Sequence, residues 1–245
     1  MSSTTRAIAA QTRVEMMMTL RRGESLLVTL GIPLGILVFF SKVDAVKVTT
    51  GDPIDFLVPG VLALAVMSTA MVSLGIATGF ERRYGVLKRL GSTPLTRTGL
   101  LMAKTINVLA IEVLQTILIV VVGIALGWNP TGGLVVAIAL LLVGTVAFAG
   151  IGMLMAGTLR AEANLAAANG LFLVLLFLGG MAYPLDKLPH SLEVIAKALP
   201  AAALAETVRG ALADPMHVPG NELVVLFVWT VAAALLAGRY FRWEE

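Results

Sequence analysis

The chain has 245 residues, of which 58% are hydrophobic and only 13% charged, with a mean hydropathy of +0.92. A water-facing surface needs nearer a quarter charged, so the composition excludes an ordinary soluble domain and makes lipid the natural solvent. A formal charge of +3 is too small to indicate nucleic acid. The absence of Cys excludes disulfides and thiolate metal sites, and two histidines, His190 and His217, leave little for metal or acid–base chemistry.

Six apolar runs follow in chain order, at roughly 25–40, 56–79, 100–127, 134–158, 164–182 and 222–238. A helical span needs about 20 such residues. The first run carries Pro33 and ends without an A-x-A pattern, so it reads as a retained span and not a cleaved leader. Between the fourth and fifth runs lies only the polar patch Arg160-Ala161-Glu162-Ala163-Asn164. A tight charged turn is expected there, because one helix of about fifty residues would overshoot a bilayer. With the N-terminus inside, thirteen of the eighteen Lys and Arg residues fall in inner segments. That bias predicts an all-α integral membrane protein with six spans and both termini cytoplasmic, forming one membrane domain over 1–245. Trp128, Tyr183, Tyr84, Tyr240 and Trp243 fall near span ends, where amphipathic rings settle.

The inner loop after the second span reads Phe80-Glu81-Arg82-Arg83-Tyr84-Gly85-Val86-Leu87-Lys88-Arg89-Leu90-Gly91. Phe80, Tyr84, Leu87 and Leu90 recur at helical spacing, with the basic residues mostly opposite. Gly91 suits a helix end, and Thr93-Pro94 a fresh start as N-cap and first helical residue. A short amphipathic helix over 80–91 is the expectation, either anchoring on anionic lipid or docking on a cytoplasmic partner. The outer segment carries two more stripes within 188–213: Leu188, Leu192, Ile195 and Leu199, then Leu204, Val208 and Leu212. Pro200 and Asp214-Pro215 stop them. Two short amphipathic helices at the outer interface are expected, serving as a structural lid or as an outer gate.

No Gly-Lys dipeptide occurs, so the chain has no Walker A loop, and any ATP-driven work needs another chain. Neither H-E-x-x-H nor G-x-S-x-G is present, which argues against an intramembrane hydrolase. Three GxxxG patterns, at Gly31/Gly35, Gly75/Gly79 and Gly123/Gly127, favour close helix packing. Polar residues inside spans are costly and therefore informative. Glu112 is the one carboxylate well inside a run, and it shares a helical face with Lys104, Asn107 and Gln115. Asn164 and Asn169 open the fifth run. These residues line a substrate path or subunit interface, or they are structural hydrogen-bonding groups.

Two stretches carry a resemblance. The run from Phe80 to Pro94 is similar to the coupling segment of ABC-2-type permeases, the small bacterial drug and antibiotic exporter subunits. The outer run Gly179-Gly180-Met181-Ala182-Tyr183-Pro184-Leu185-Asp186-Lys187-Leu188-Pro189 is similar to that family's stretch after its fifth span. Residues Arg13 to Arg22 resemble its interfacial connecting helix, though Arg13 and Arg21 intrude on the apolar side. The resemblance implies a permease subunit in the bacterial plasma membrane that exports amphipathic drugs, lipids or natural products. It implies two permease copies, identical or paralogous, and separate ABC ATPase subunits that bind ATP and Mg. It implies that Phe80, Glu81, Arg82, Arg83, Tyr84, Leu87, Lys88 and Arg89 contact those ATPases, and it implies no cofactor in this chain. Two rivals remain at this stage: a carrier or channel using Glu112 without ATP, and a membrane anchor that does not transport.

Overall fold

The computed structural model describes residues 3–21, 23–43, 52–87 and 97–242. Lys88, Arg89, Gly91 and Thr93-Pro94 lie outside them. Among the described residues every regular element is helical. In chain order they are α1 (Ser3–Arg21), α2 (Gly23–Lys42), α3 (Pro53–Arg83), α4 (Arg97–Ala125), α5 (Leu134–Thr158), α6 (Ala161–Leu178), α7 (His190–Lys197), α8 (Pro200–Leu212) and α9 (Gly220–Tyr240). Five helices are long and apolar enough to cross a membrane: α3, the Met102–Ala125 part of α4, α5, α6 and α9. The apolar part of α2, Thr29–Lys42, is shorter.

The helix α3 is the most buried of the five and serves as the spine. Against it pack α2 and α4 in one group and α5, α6 and α8 in another; α1 joins the first through α4 and α2, and α9 joins the second through α5 and α8. Its middle, Met67–Ser73, is a π-helix, a form that widens the turn and recurs at functional sites. Beside that segment α5 comes into main-chain contact. A Cβ on Gly152 would sit 2.6 Å from the Met71 carbonyl oxygen, so only glycine permits this approach.

Two expectations need correction. Residues 80–83 are not the start of a separate helix but the last turn of α3. Nothing in Gly79-Phe80-Glu81-Arg82 breaks a helix once Gly79 is packed on Asn164, so the span and its charged tail are continuous. The break comes at Gly85, whose φ of +66° ends the helix. The second correction concerns α8, expected to lie at an interface with one apolar stripe. It is buried on almost every side, through Pro200 to Ala205 and again at Thr207, Val208, Ala211 and Leu212. Its run of alanines lets α3, α5 and α9 approach from several directions. By contrast, Leu192, Val194 and Ile195 of α7 are exposed, and Ala196 faces the core.

The helix ends sort into two groups. Tyr84, Leu159 and Phe241 share one end of the bundle, where the Arg242 N–H donates to the Gly157 carbonyl. The α4–α5 turn and the segment 184–219 share the other, where the Gly133 N–H donates to the Ala211 carbonyl.

Candidate functional site

Three groups of polar side chains stand out at different depths. The first is the charged tail of α3. Successive helical residues point about 100° apart, so three neighbours can reach three directions. Glu81 turns to α4 and meets Lys104 Nζ at 2.9 Å through Oε1 and 2.7 Å through Oε2. Glu15 of α1 reaches the same ammonium at 3.3 Å, and Gln11 donates to Glu15. Arg82 turns the other way, is only 5% exposed, and donates to the Leu159 carbonyl at the C-terminus of α5. A cation there also complements the negative end of the helix dipole. Arg83 pairs with Glu162 in the first turn of α6. Glu81, Arg82 and Arg83 thus fasten α4, α5 and α6 in turn. Phe80 is half-buried and stacks on Tyr84 with ring centroids 6.1 Å apart, and Leu87 is buried. Tyr84 is 62% exposed and presents its ring outward at the end of the bundle.

The second group sits in the middle of the bundle. Lys104, Glu112 and Gln115 all face inward, and Asn107 is half-buried. Gln115 is bonded at both ends of its amide and ties together three elements. Its carbonyl accepts from Thr69 in the π-segment at 2.9 Å, and its amide donates to the Thr29 carbonyl of α2 at 3.0 Å. One turn away, Glu112 accepts from Thr145 of α5 at 2.7 Å through Oε2. Asn164 is wholly buried and donates to the Gly75 carbonyl at 2.9 Å, tying α6 to the spine. Asn169 is instead exposed and donates to the Leu165 carbonyl of its own helix. Asn164 and Asn169 therefore do not share a site.

The third group lies at the far end, where Phe56, Asp186, Glu193, Lys197, Glu206, Arg209 and Glu222 surround a cleft of about 370 Å³. Arg209 is clasped by Glu206, by the Gly180 carbonyl at 2.9 Å and by the ring of Phe56 at 3.8 Å from its centroid. Burial lowers the pKa of this guanidinium, and Glu206 opposes that shift. The Lys197 ammonium is pushed up, first by its hydrogen bond to Glu193. Among the described residues no group of His, Cys, Asp or Glu could hold a metal ion.

Sequence reasoning missed Glu15, Thr69, Thr145 and the clasp around Arg209. Thr69 and Thr145 are isolated threonines in apolar runs, a weak signal by themselves. Their one sequence cue is that Gln115 and Glu112 need partners on some facing helix.

Comparison with known proteins then gives a family. The sequence pattern described as ABC-2 type transporter matches residues 6–213, from α1 to the end of α8. The chain is 28% identical over 189 residues to the probable multidrug ABC transporter permease YbhS of Escherichia coli strain K12, and equally to the protein of that name from Escherichia coli O157:H7. Each alignment covers 74% of this chain and 48% of the relative, so the chain spans about half the length of the relatives it matches.

Proposed function

Given that the chain belongs to the ABC-2 type transporter family, we propose that it is the membrane-spanning permease of an ATP-driven exporter, served by a separate ATPase that binds ATP and Mg²⁺. The match over 6–213 is the observation that carries this reading. As a member of that family with several long apolar helices, the chain is a multi-pass membrane transporter permease. On our reading α2 completes six spans, with both termini on the cytoplasmic side of a bacterial plasma membrane. Two features support that orientation. The Lys and Arg residues concentrate in the segments assigned to the inside. Helix α1, through Glu15, and Phe241 also lie at the same end as Tyr84. Two permease copies, identical or paralogous, would form the pathway, and α7 and α8 would face outward.

Within the coupling segment the roles divide. Tyr84 and the partly exposed Arg83 offer a docking surface; Lys88 and Arg89, outside the described residues, are assigned to the same contact by the family resemblance alone. Glu81, Arg82 and Leu87, turned inward, set the position of that surface. A push on Tyr84 from an ATPase would be delivered to α4, α5 and α6 at once. Exported cargo would be amphipathic, in keeping with spans whose lining is apolar with sparse polar groups. Purification of the tagged chain from its own membranes in a mild detergent tests the reading. A soluble Walker-A protein at near-equal stoichiometry, bringing ATP hydrolysis, is the expected result. A chain that stays alone after cross-linking would contradict it.

A further inference from the structure

The two helix groups meet mainly through α3, and they differ in how they grip it. On the α5 side the grip is backbone to backbone, with Gly152 against Met71 and Gly75 against Gly152. Contacts of this kind have no side chain to swing aside. On the α4 side the grip beside the π-segment is a side-chain hydrogen bond, Thr69 to Gln115. Gln115 carries α2 with it through the Thr29 carbonyl.

Directly across the seam between α4 and α5 runs the bond from Thr145 to Glu112. Both residues are more than nine-tenths buried. Two features make this bond easy to exchange. Thr145 Oγ1 also lies 3.0 Å from the Leu141 carbonyl of its own helix. A hydroxyl has one proton, so Thr145 can turn it from Glu112 to Leu141 and still keep one acceptor. Glu112 has no such local substitute, and its second oxygen, Oε1, is buried without a hydrogen-bond partner among the described residues. Opening the seam would therefore leave a carboxyl group that needs a donor from outside.

We propose that the Glu112–Thr145 bond is a releasable latch across the α4–α5 seam, and that a hydrogen-bond-donating group of an amphipathic molecule takes Thr145's place on Glu112 when the seam opens. The latch itself does not depend on the permease reading, and the identification of that molecule as cargo rests on it. The occupant is defined by one polar donor on an apolar body, because Gln115, one turn from Glu112, is already engaged by Thr69 and the Thr29 carbonyl, and the other buried neighbours of Glu112 on α4, Val108 and Ile111, are apolar.

The chain has no cysteine, so an introduced thiol reports without background. Val108→Cys places one a helical turn from Glu112 on the same face, and the rate of its modification by 2-aminoethyl methanethiosulfonate is measured on the purified chain in nanodiscs. Adding Thr145→Val, which removes the donor but keeps the shape, is expected to raise that rate at least tenfold. Thr145→Ser, which keeps the donor, is expected to leave it low. Glu112→Met breaks the bond from the other side and should match Thr145→Val. A thiol at Ala233, buried between α9 and α5, should stay slow throughout. The latch is overturned by a Thr145→Val rate equal to the parent, by an equal rise in Thr145→Ser, or by acceleration at both thiols alike. Dodecylamine should protect the opened seam from modification, and dodecyltrimethylammonium, with the same charge and no donor, should not. Protection by both or by neither overturns the donor requirement. None of these readouts involves an ATPase, so the permease reading can fail without touching them.

Discussion

The two ends of the spine are each secured by an arginine on main-chain carbonyls, yet they work in opposite senses. At the Tyr84 end α3 is the giver: Arg82 reaches out to Leu159, and its neighbours Glu81 and Arg83 reach Lys104 and Glu162. At the far end α3 is the receiver, with Arg209 of α8 lying over the Phe56 ring and beside its carbonyl. A helix whose own tail holds three others transmits its displacement to all of them. At its other end the helix is packed among α8, α2, α4 and α5 and clasped by Arg209, which makes that end the fixed point. The difference suggests a lever anchored at the cleft and driven from Tyr84.

The comparison can be broken first in the middle, where the lever is rigid. Gly152→Leu forces a side chain into the Met71 carbonyl and should leave almost no folded protein in the membrane, measured as the monodisperse fraction after solubilisation. Lys104→Met comes next. It strands the carboxylates of Glu15 and Glu81 together in a largely buried place, and should cost about 3 kcal/mol, read as a fall in Tm. Arg82→Met leaves the Leu159 carbonyl unpaired and should cost about 2 kcal/mol in the same assay. At the far end the exposed Lys197–Glu193 pair should matter least. Lys197→Ala should cost about 0.3 kcal/mol, as surface pairs one turn apart do. Because the folded-state pKa of Lys197 is raised, that small contribution is present at neutral pH and is lost only as pH rises through the alkaline lysine range. A Tm difference between wild type and Lys197→Ala that is flat from pH 6 to 9 is the expected outcome. If Lys197→Ala proves costlier than Arg82→Met, the contrast between the two ends is wrong.

Much of the helix pattern was legible because it rests on local composition. The apolar run at 134–158 coincides with α5; the turn expected over Arg160–Asn164 is tighter than that patch, since α6 already opens at Ala161 with Arg160 as its N-cap. What the sequence hid was pairing. Lys104 and Glu15 lie 89 positions apart, as do Asn164 and Gly75, and no period connects them. The tail of α3 was misread for a different reason. A change from apolar to charged residues at Phe80 looks like the end of one element, but a helix ends where its backbone turns, and that is at Gly85. The alanines of α8 were misleading too, since a small side chain is compatible with a surface and with a tightly packed interior. Within the candidate coupling residues, periodicity grouped Tyr84 with the apolar side and set the basic residues mostly opposite. The fold departs from this, because Arg82 is buried against the Leu159 carbonyl and Tyr84 is exposed.

The most direct test of the account asks which end of the lever meets an ATPase. A photo-crosslinking benzoylphenylalanine placed at Tyr84, and in a separate strain at the exposed Tyr183 of the far end, is activated in native membranes and the adducts identified. The account predicts a soluble Walker-A protein attached at position 84 and absent at position 183. No ATPase adduct at 84, or an equal one at 183, would contradict it.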